Sequence, residues 1–313
     1  MEAPLYMQRV LYFICCNMML LLPTLVSATT EKPKVVASIQ PLYLISQELL
    51  GDQADVERLM PLGASPHGFQ LSWSQRRLLD EADLIVWVGP SLELFIEKVI
   101  STRPNLSLDS VPSAIETTVT VGTGHAHSPG ESHNHESHDH QAHGRDPHLW
   151  LDPENALIIA RQLIDHLKKS LNDEQEHARL EEKYRLFAEK IDATNQQLQA
   201  DLKPVQSVPF IVFHDALQHF QQHYGLMPYQ VVTRLPEQRP GAKHLHELRQ
   251  RIKQGQCLLV EPYYSAAQTR RLQSEFNLVV EEIDILGAEA NSYTDFLLTL
   301  ASGIKHCLVS SAE

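Results

Sequence analysis

Apolar positions along this chain follow two rhythms. Short runs of consecutive hydrophobic residues read as strands buried on both faces: "KVVASI" from Lys34, "LIVWVG" from Leu84, "PFIVFH" ending at His214 and "CLLVEP" from Cys257. "DVERLM", "MPYQVV" and "NLVVEEIDI" read as further strands. Between them, apolar residues recur every three or four positions. "PLYLISQELLG" opens on Pro41 and stops at Gly51, as a short helix would, and "WSQRRLLDEAD" follows Ser72. "LELFIEKVIS", "DALQHFQQHYG", "GAKHLHELRQRIKQG", "SAAQTRRLQSEF" and "SYTDFLLTLASGIKHC" continue the helical rhythm. Strand and helix alternate, which predicts an α/β fold with mainly parallel sheets flanked by helices.

The middle of the chain breaks the alternation twice. From Val119 to Arg145 there is no apolar periodicity, so a long His-rich loop, disordered over 122–145, is expected. Asp152-Pro153 then supplies an N-cap and an N1 proline for a helix with Leu157, Ala160, Ile164, Leu167 and Leu171 on one face. Asp173 to Lys203 follows without Gly or Pro, and Leu180, Tyr184, Phe187, Ile191, Leu198 and Leu202 form one stripe along it. At 1.5 Å per residue such a helix spans roughly 45 Å, enough to run across two lobes. The expected layout is an N-terminal α/β lobe over 33–172, a linker helix over 173–203 and a C-terminal α/β lobe over 204–313.

The N-terminus carries a different signal. Val10 to Val26 is almost wholly apolar, follows Arg9 and leads into Val26-Ser27-Ala28, so 1–28 reads as a signal peptide cleaved after Ala28. A permanent anchor is the competing reading, for which the run is short. Cys15 and Cys16 follow Ile14 and Cys15 rather than a small residue, which argues against lipid attachment. The mature chain is expected to be exported, as a protein not embedded in the membrane. It would keep two cysteines, Cys257 and Cys307, which in an exported protein usually pair. Two buried free thiols are the alternative.

Composition narrows the function. Lys and Arg number 26 against 39 Asp and Glu, a net charge of −13, which excludes nucleic acid as the natural partner. Seven of the 17 histidines crowd into the polar loop: His125, His127, His133, His135, His138, His140 and His143. A mobile polar backbone holds no fixed geometry, so these are expected to bind metal weakly and at several sites. Three other histidines have ordered surroundings. His67 lies in "GASPHGF" after a strand, His148 in "DPHLWLDP" before a capped helix, and His214 ends "FIVFH". Ligands of open α/β sheets bind beyond the carboxyl ends of strands, where residues of two lobes can converge. Asp284, after "VVEEI", has the same placement. Three imidazoles with a carboxylate or water suit tetrahedral Zn²⁺. A hydrogen-bonded loop residue is the bland reading for each. His219 and His223, at i and i+4, read as a solvated helix face, and His166, His177 and His306 as isolated surface residues.

These features together resemble the zinc-uptake solute-binding proteins of bacterial ABC importers, the metal-binding group of the periplasmic binding-protein superfamily. "GASPHGFQLSWSQRRLLDEADLIVWVGPSLE", the His-rich insertion, "DPHLWLDPENA", "FIVFHDALQHFQQHYGL" and "RPGAKHLHELRQRIKQ" carry the resemblance, from about Lys34 to the C-terminus. It implies two similar lobes on one rigid helix, with metal in the interlobe cleft and limited closure upon it. It also implies that His67, His148 and His214 ligate zinc, with Asp284, water or a nearby carboxylate as fourth ligand. Some zinc members carry Glu before the first histidine, where this chain has Pro66. Manganese and iron members commonly have Glu in place of His214, and the imidazole shifts preference toward Zn²⁺. A C-terminal-lobe disulfide matching Cys257 and Cys307 is likewise implied.

The function expected on this basis is high-affinity capture of Zn²⁺ outside the cytoplasm and its delivery to an inner-membrane ABC permease, by a monomer that is not an enzyme. With ordinary imidazoles, capture should weaken below about pH 6.5. Three alternatives differ in class. One is a manganese- or iron-binding homologue, and another is a metal-buffering adhesin built around the loop. The third is a zinc hydrolase using Asp284 or Glu261 as base, against which stands the lack of an HExxH or GxSxG motif.

Overall fold

A computed structural model of the chain describes residues 32–112, 145–171, 173–234, 240–263 and 266–312. The expected signal segment and the seven loop histidines from His125 to His143 lie outside the described residues. The first lobe runs β1 (Lys34–Ala37), α1 (Gln40–Leu50), β2 (Asp55–Arg58), α2 (Trp73–Glu81), β3 (Leu84–Trp87), α3 (Pro90–Ile100) and β4 (Asn105–Ser107). A 3₁₀ turn at Leu149–Leu151 leads into α4 (Pro153–Ser170), and α5 (Glu174–Leu202) follows. The second lobe runs β5 (Phe210–His214), α6 (Gln218–His223), β6 (Gln230–Thr233), α7 (Ala242–Arg251), β7 (Cys257–Val260), α8 (Ala266–Phe276), β8 (Val279–Glu282) and α9 (Tyr293–Ala312).

Each lobe holds a four-stranded parallel sheet, in the orders β2-β1-β3-β4 and β6-β5-β7-β8. The repeated topology sets a switch point in each sheet, between β1 and β3 and between β5 and β7, where a crevice opens at the strand ends. Strands β3 and β5 are buried along their whole length, while β2 at one edge is not. That contrast follows from helices covering both faces of central parallel strands. β4 has no counterpart in the sequence reading, because "NLS" offers a single apolar residue. It forms because Leu106 lies in register with Val86 of β3.

The pleat divides the core. On the outer faces, Val36 and Ile85 pack with Leu79 and Ile96 in one lobe, and Ile211 and Phe213 with Leu248 and Leu272 in the other. The inner residues, Val35, Ala37, Val86, Phe210, Val212 and Leu259, join one continuous core shared by both lobes. Helix α5 is part of it. Asp173 caps its start by accepting from Gln175 N at 2.8 Å, and Leu180, Phe187, Ile191, Thr194, Leu198 and Leu202 are buried along it. It packs on α1 and α4 of the first lobe and α9 of the second. At 29 residues it is roughly 43 Å long. A single core shared across both lobes resists large hinge motion.

Cys257 and Cys307 form a disulfide with Cα atoms 5.5 Å apart, fastening the start of β7 to α9. No helix among the described residues is long and apolar enough to cross a membrane.

Candidate metal centre

His214 is the last residue of β5, and Glu261 directly follows β7. The two strands pair with Phe210 opposite Cys257 and Val212 opposite Leu259, so the same register carries His214 opposite Glu261. Both belong to the inner-facing parity, and His214 Nδ1 lies 3.1 Å from Glu261 Oε1. The imidazole is 1% and the carboxylate 6% exposed.

His148 comes from the first lobe. It precedes the 3₁₀ turn at Leu149–Leu151, where Asp152 accepts from Glu154 N at 2.8 Å and so starts α4. The side chain of Asp146 accepts from the backbone N–H of His148 at 3.1 Å, and its Oδ1 lies 2.6 Å from the ring Nδ1. A carboxylate holding Nδ1–H leaves Nε2 as the lone-pair nitrogen, and His148 Nε2 has no hydrogen-bond partner among the described residues.

His67 sits in the loop between β2 and α2. That loop is closed at its base, where Gln75 Nε2 donates to Leu59 O at 2.8 Å and Ser72 with Gln75 forms a capping box. The tip is held less tightly. Ser65 Oγ accepts from His67 N at 3.4 Å, and the ring Nε2 has no partner among the described residues.

The three rings meet. Ring centroids are 4.8 Å apart for His67 and His214, 5.1 Å for His148 and His214, and 5.6 Å for His67 and His148. One ring nitrogen of each lies within 4.8 Å of the other two, the one such grouping of three or more His, Cys, Asp or Glu among the described residues. A tetrahedral ion with metal–nitrogen bonds of 2.0–2.1 Å needs nitrogens about 3.4 Å apart, so the rings must draw in slightly to share one. Burial, followed by the neighbouring His148 and His214, lowers the His67 pKa to about 2. Burial likewise holds His148 well below the ordinary imidazole value. Both rings are neutral at pH 7, the form that ligates a metal.

Asp284 is taken up by its own turn. Its Oδ1 accepts from Leu286 N at 2.8 Å and from the Tyr263 hydroxyl, and its Oδ2 accepts from Ala288 N at 2.6 Å. It is not in the grouping of three histidines. Two carboxylates stand directly behind ligand-capable rings: Asp146, which the sequence reading did not assign to the site, and Glu261, which it named only as a base for the hydrolase alternative. Asp146 was findable, because an aspartate two residues before a histidine can reach its Nδ1. Glu261 needed the β5–β7 register.

The sequence expectation for His219 and His223 is overturned. His219 is fully buried and the His223 side chain is 5% exposed, so the face they share on α6 is not solvated. His177 also departs from an isolated surface role, its Nε2 lying 3.1 Å from Lys168 O and 3.0 Å from Leu171 O.

Residues 35–307 match the family described as zinc-uptake complex component A, periplasmic. The chain belongs to that family. Among its zinc-uptake relatives, the high-affinity zinc uptake system protein ZnuA of Brucella abortus is 30% identical, over 90% of this chain and 93% of its own. The protein of the same name from Yersinia pestis is 30% identical over 88% and 91%. A ZnuA crystal structure superposes with a TM-score of 0.70 at 20% identity, covering 89% of this chain and 100% of that one. The periplasmic zinc-binding protein TroA of Treponema pallidum superposes at 0.71 and 18% identity, covering 88% and 99%. At these identities the two structures are similar to this zinc-uptake family member in fold.

Proposed function

We propose that this chain is a high-affinity extracytoplasmic zinc-binding protein, which captures Zn²⁺ between its lobes and delivers it to an inner-membrane ABC permease. The observation that carries the reading is the meeting of His67, His148 and His214, drawn from both lobes, with two of the rings backed by carboxylates. Three imidazoles favour Zn²⁺ over harder cations. The Asp146 and Glu261 carboxylates supply negative charge behind the rings, through hydrogen bonds to Nδ1, and fix each ring's tautomer. Membership of the zinc-uptake family and relatives named for high-affinity zinc uptake support the same cargo.

In this reading the fourth ligand is water. Asp284 is engaged by the backbone N–H groups of Leu286 and Ala288 and stands outside the grouping of three histidines. The chain acts as a monomer and binds its ion without transforming it, after cleavage of the signal peptide near Ala28. His125, His127, His133, His135, His138, His140 and His143 serve as an auxiliary, weaker collecting site.

The test is a zinc-soaked crystal with anomalous data on both sides of the zinc edge, joined to growth of a chelator-treated strain lacking its own zinc-binding protein. One zinc peak among His67, His148 and His214, with growth restored only when the permease is present, is the expected result. A peak elsewhere, or growth independent of the permease, would overturn the proposal.

A further inference from the structure

The segment Asp146–Asp152 carries His148 and belongs to the first lobe by chain order, yet its polar contacts run largely to the second. His219 Nε2, on α6, lies 3.0 Å from Asp146 O, and its Nδ1 lies 3.4 Å from Asn155 Nδ2. A carbonyl can only accept, so Nε2 carries the proton and Nδ1 accepts from the Asn155 amide. One turn on, His223 Nδ1 lies 3.0 Å from Asp152 Oδ1, and its Nε2 lies 2.9 Å from Asn195 Oδ1 on α5. Trp150 Nε1 donates to Ile285 O at 2.7 Å, and the Tyr293 hydroxyl donates to Trp150 O at 2.7 Å.

His219 is fully buried and Asp146 and Asn155 nearly so. The residue whose carbonyl His219 holds is the one whose carboxylate holds the His148 ring. His219 therefore fixes His148 through one intermediary. The His67 ring has no comparable support: among the described residues its hydrogen bond runs from the backbone N–H to Ser65 Oγ, where the His148 ring has Asp146.

We propose that His219, seconded by His223, is a positioning residue for zinc capture. It clamps the Asp146–His148 unit to the second lobe, so that His148 and His214 stand as a pre-set pair and His67 is the ligand that closes on the ion. The proposal rests on the assignment of the three histidines as zinc ligands. Its physical basis is that a ligand pair held in place before binding loses little freedom when the ion arrives, and that partners behind metal ligands commonly carry 10–100-fold in affinity.

The full chain is examined with His219→Leu, which removes both hydrogen bonds, and His219→Gln, which can donate to Asp146 O and accept from Asn155. Zinc affinity is read by chelator competition at one equivalent, where the tightest site fills first. Geometry is read from the visible spectrum of the protein loaded with one equivalent of Co²⁺. H219L is expected to bind zinc at least about 10-fold more weakly with a shifted cobalt band, and H219Q to recover to within about 3-fold. A folded H219L with wild-type affinity and spectrum overturns the proposal, as does an H219Q as impaired as H219L. If H219L does not fold, Asn155→Leu removes the Nδ1 partner from the opposite side; weaker zinc binding supports the clamp and unchanged binding overturns it. His148→Ala separates the two levels. Tight zinc binding in H148A defeats the ligand assignment itself, whereas loss in H148A beside a wild-type-like H219L defeats the clamp alone.

Discussion

His214 ends β5 and Glu261 directly follows the neighbouring parallel β7, in a register that sets imidazole Nδ1 3.1 Å from carboxylate Oε1. The pair is nearly buried, so the carboxylate acts on the ring in a medium where electrostatic effects are strong. Glu261→Gln keeps an acceptor but removes the charge that offsets the ion. Zinc affinity should fall about 10-fold, and Glu261→Ala should cost up to about 100-fold. Chelator competition measures both, and equal affinities for all three proteins would show that the carboxylate has no such role.

Asp284 is engaged by two backbone N–H groups of its own turn. Asp284→Asn should leave zinc affinity within about 3-fold while lowering thermal stability, since an N-cap-like carboxylate bond is worth about 1 kcal/mol. A loss of affinity of 100-fold with stability intact would instead make Asp284 the fourth ligand.

Proton competition should be weaker than ordinary imidazoles suggest. With His67 lowered to about 2 and His148 also well below 6.5, these two rings carry no proton to displace at pH 7. At these two rings, proton competition should set in only in solution more acid than the sequence-based expectation of about pH 6.5. Calorimetry at pH 7 in buffers of different ionisation enthalpy should find little proton release. Release of two protons, or a two-proton drop in affinity through pH 6.5, would contradict the burial argument.

Glu93 shows the opposite linkage. It is fully buried and accepts from Val88 N at 2.7 Å, and burial raises its pKa to about 7 from an ordinary 4.5. A raised folded-state value means that the folded chain binds the extra proton. Stability from this group is therefore full below about pH 4.5 and is lost as pH rises through 7, on the order of 3 kcal/mol across the window. Glu93→Gln keeps the acceptor and removes the titration. Its melting temperature should exceed that of the natural chain more at pH 8 than at pH 5.5, and a difference independent of pH would refute the assignment.

The disulfide stands at the far end of the strand from the site. Cys257 begins β7 and Glu261 follows its last residue, roughly 13 Å along the strand. Replacing both cysteines by Ala opens a loop with a sequence separation of 50, which should cost about 2–4 kcal/mol in denaturant unfolding. Zinc affinity of the folded double variant should be unchanged, and a coupled loss would show that the tie reaches the metal centre.

Much of the fold was legible because its signals are local. The apolar runs at Lys34, Leu84, Phe210 and Cys257 are central strands covered on both faces, and Asp152-Pro153 and Asp173 mark helix starts in the residues themselves. β4 was not legible, since "NLS" becomes a strand through pairing with β3. The three histidines could be singled out because each lies at or beyond a strand end or before a capped turn. Of what stands behind them, Asp146 was within reach of the sequence, but the long-range contacts were hidden. Glu261 reaches His214 across 47 residues of chain, and His219 reaches Asp146 across 73. A polar residue on a short helix reads as solvated unless its distant partner is known, and for that reason the burial of His219 and His223 was missed.

The central claim is that His67, His148 and His214 form the tight site while the histidines of 125–143 do not. Equilibrium dialysis of zinc against a chain lacking residues 125–143, with and without His→Ala at all three positions, tests it most directly. The deletion alone should retain one tightly bound zinc, and the added triple substitution should abolish it. Stoichiometric tight binding that survives the triple substitution in the shortened chain would contradict the account.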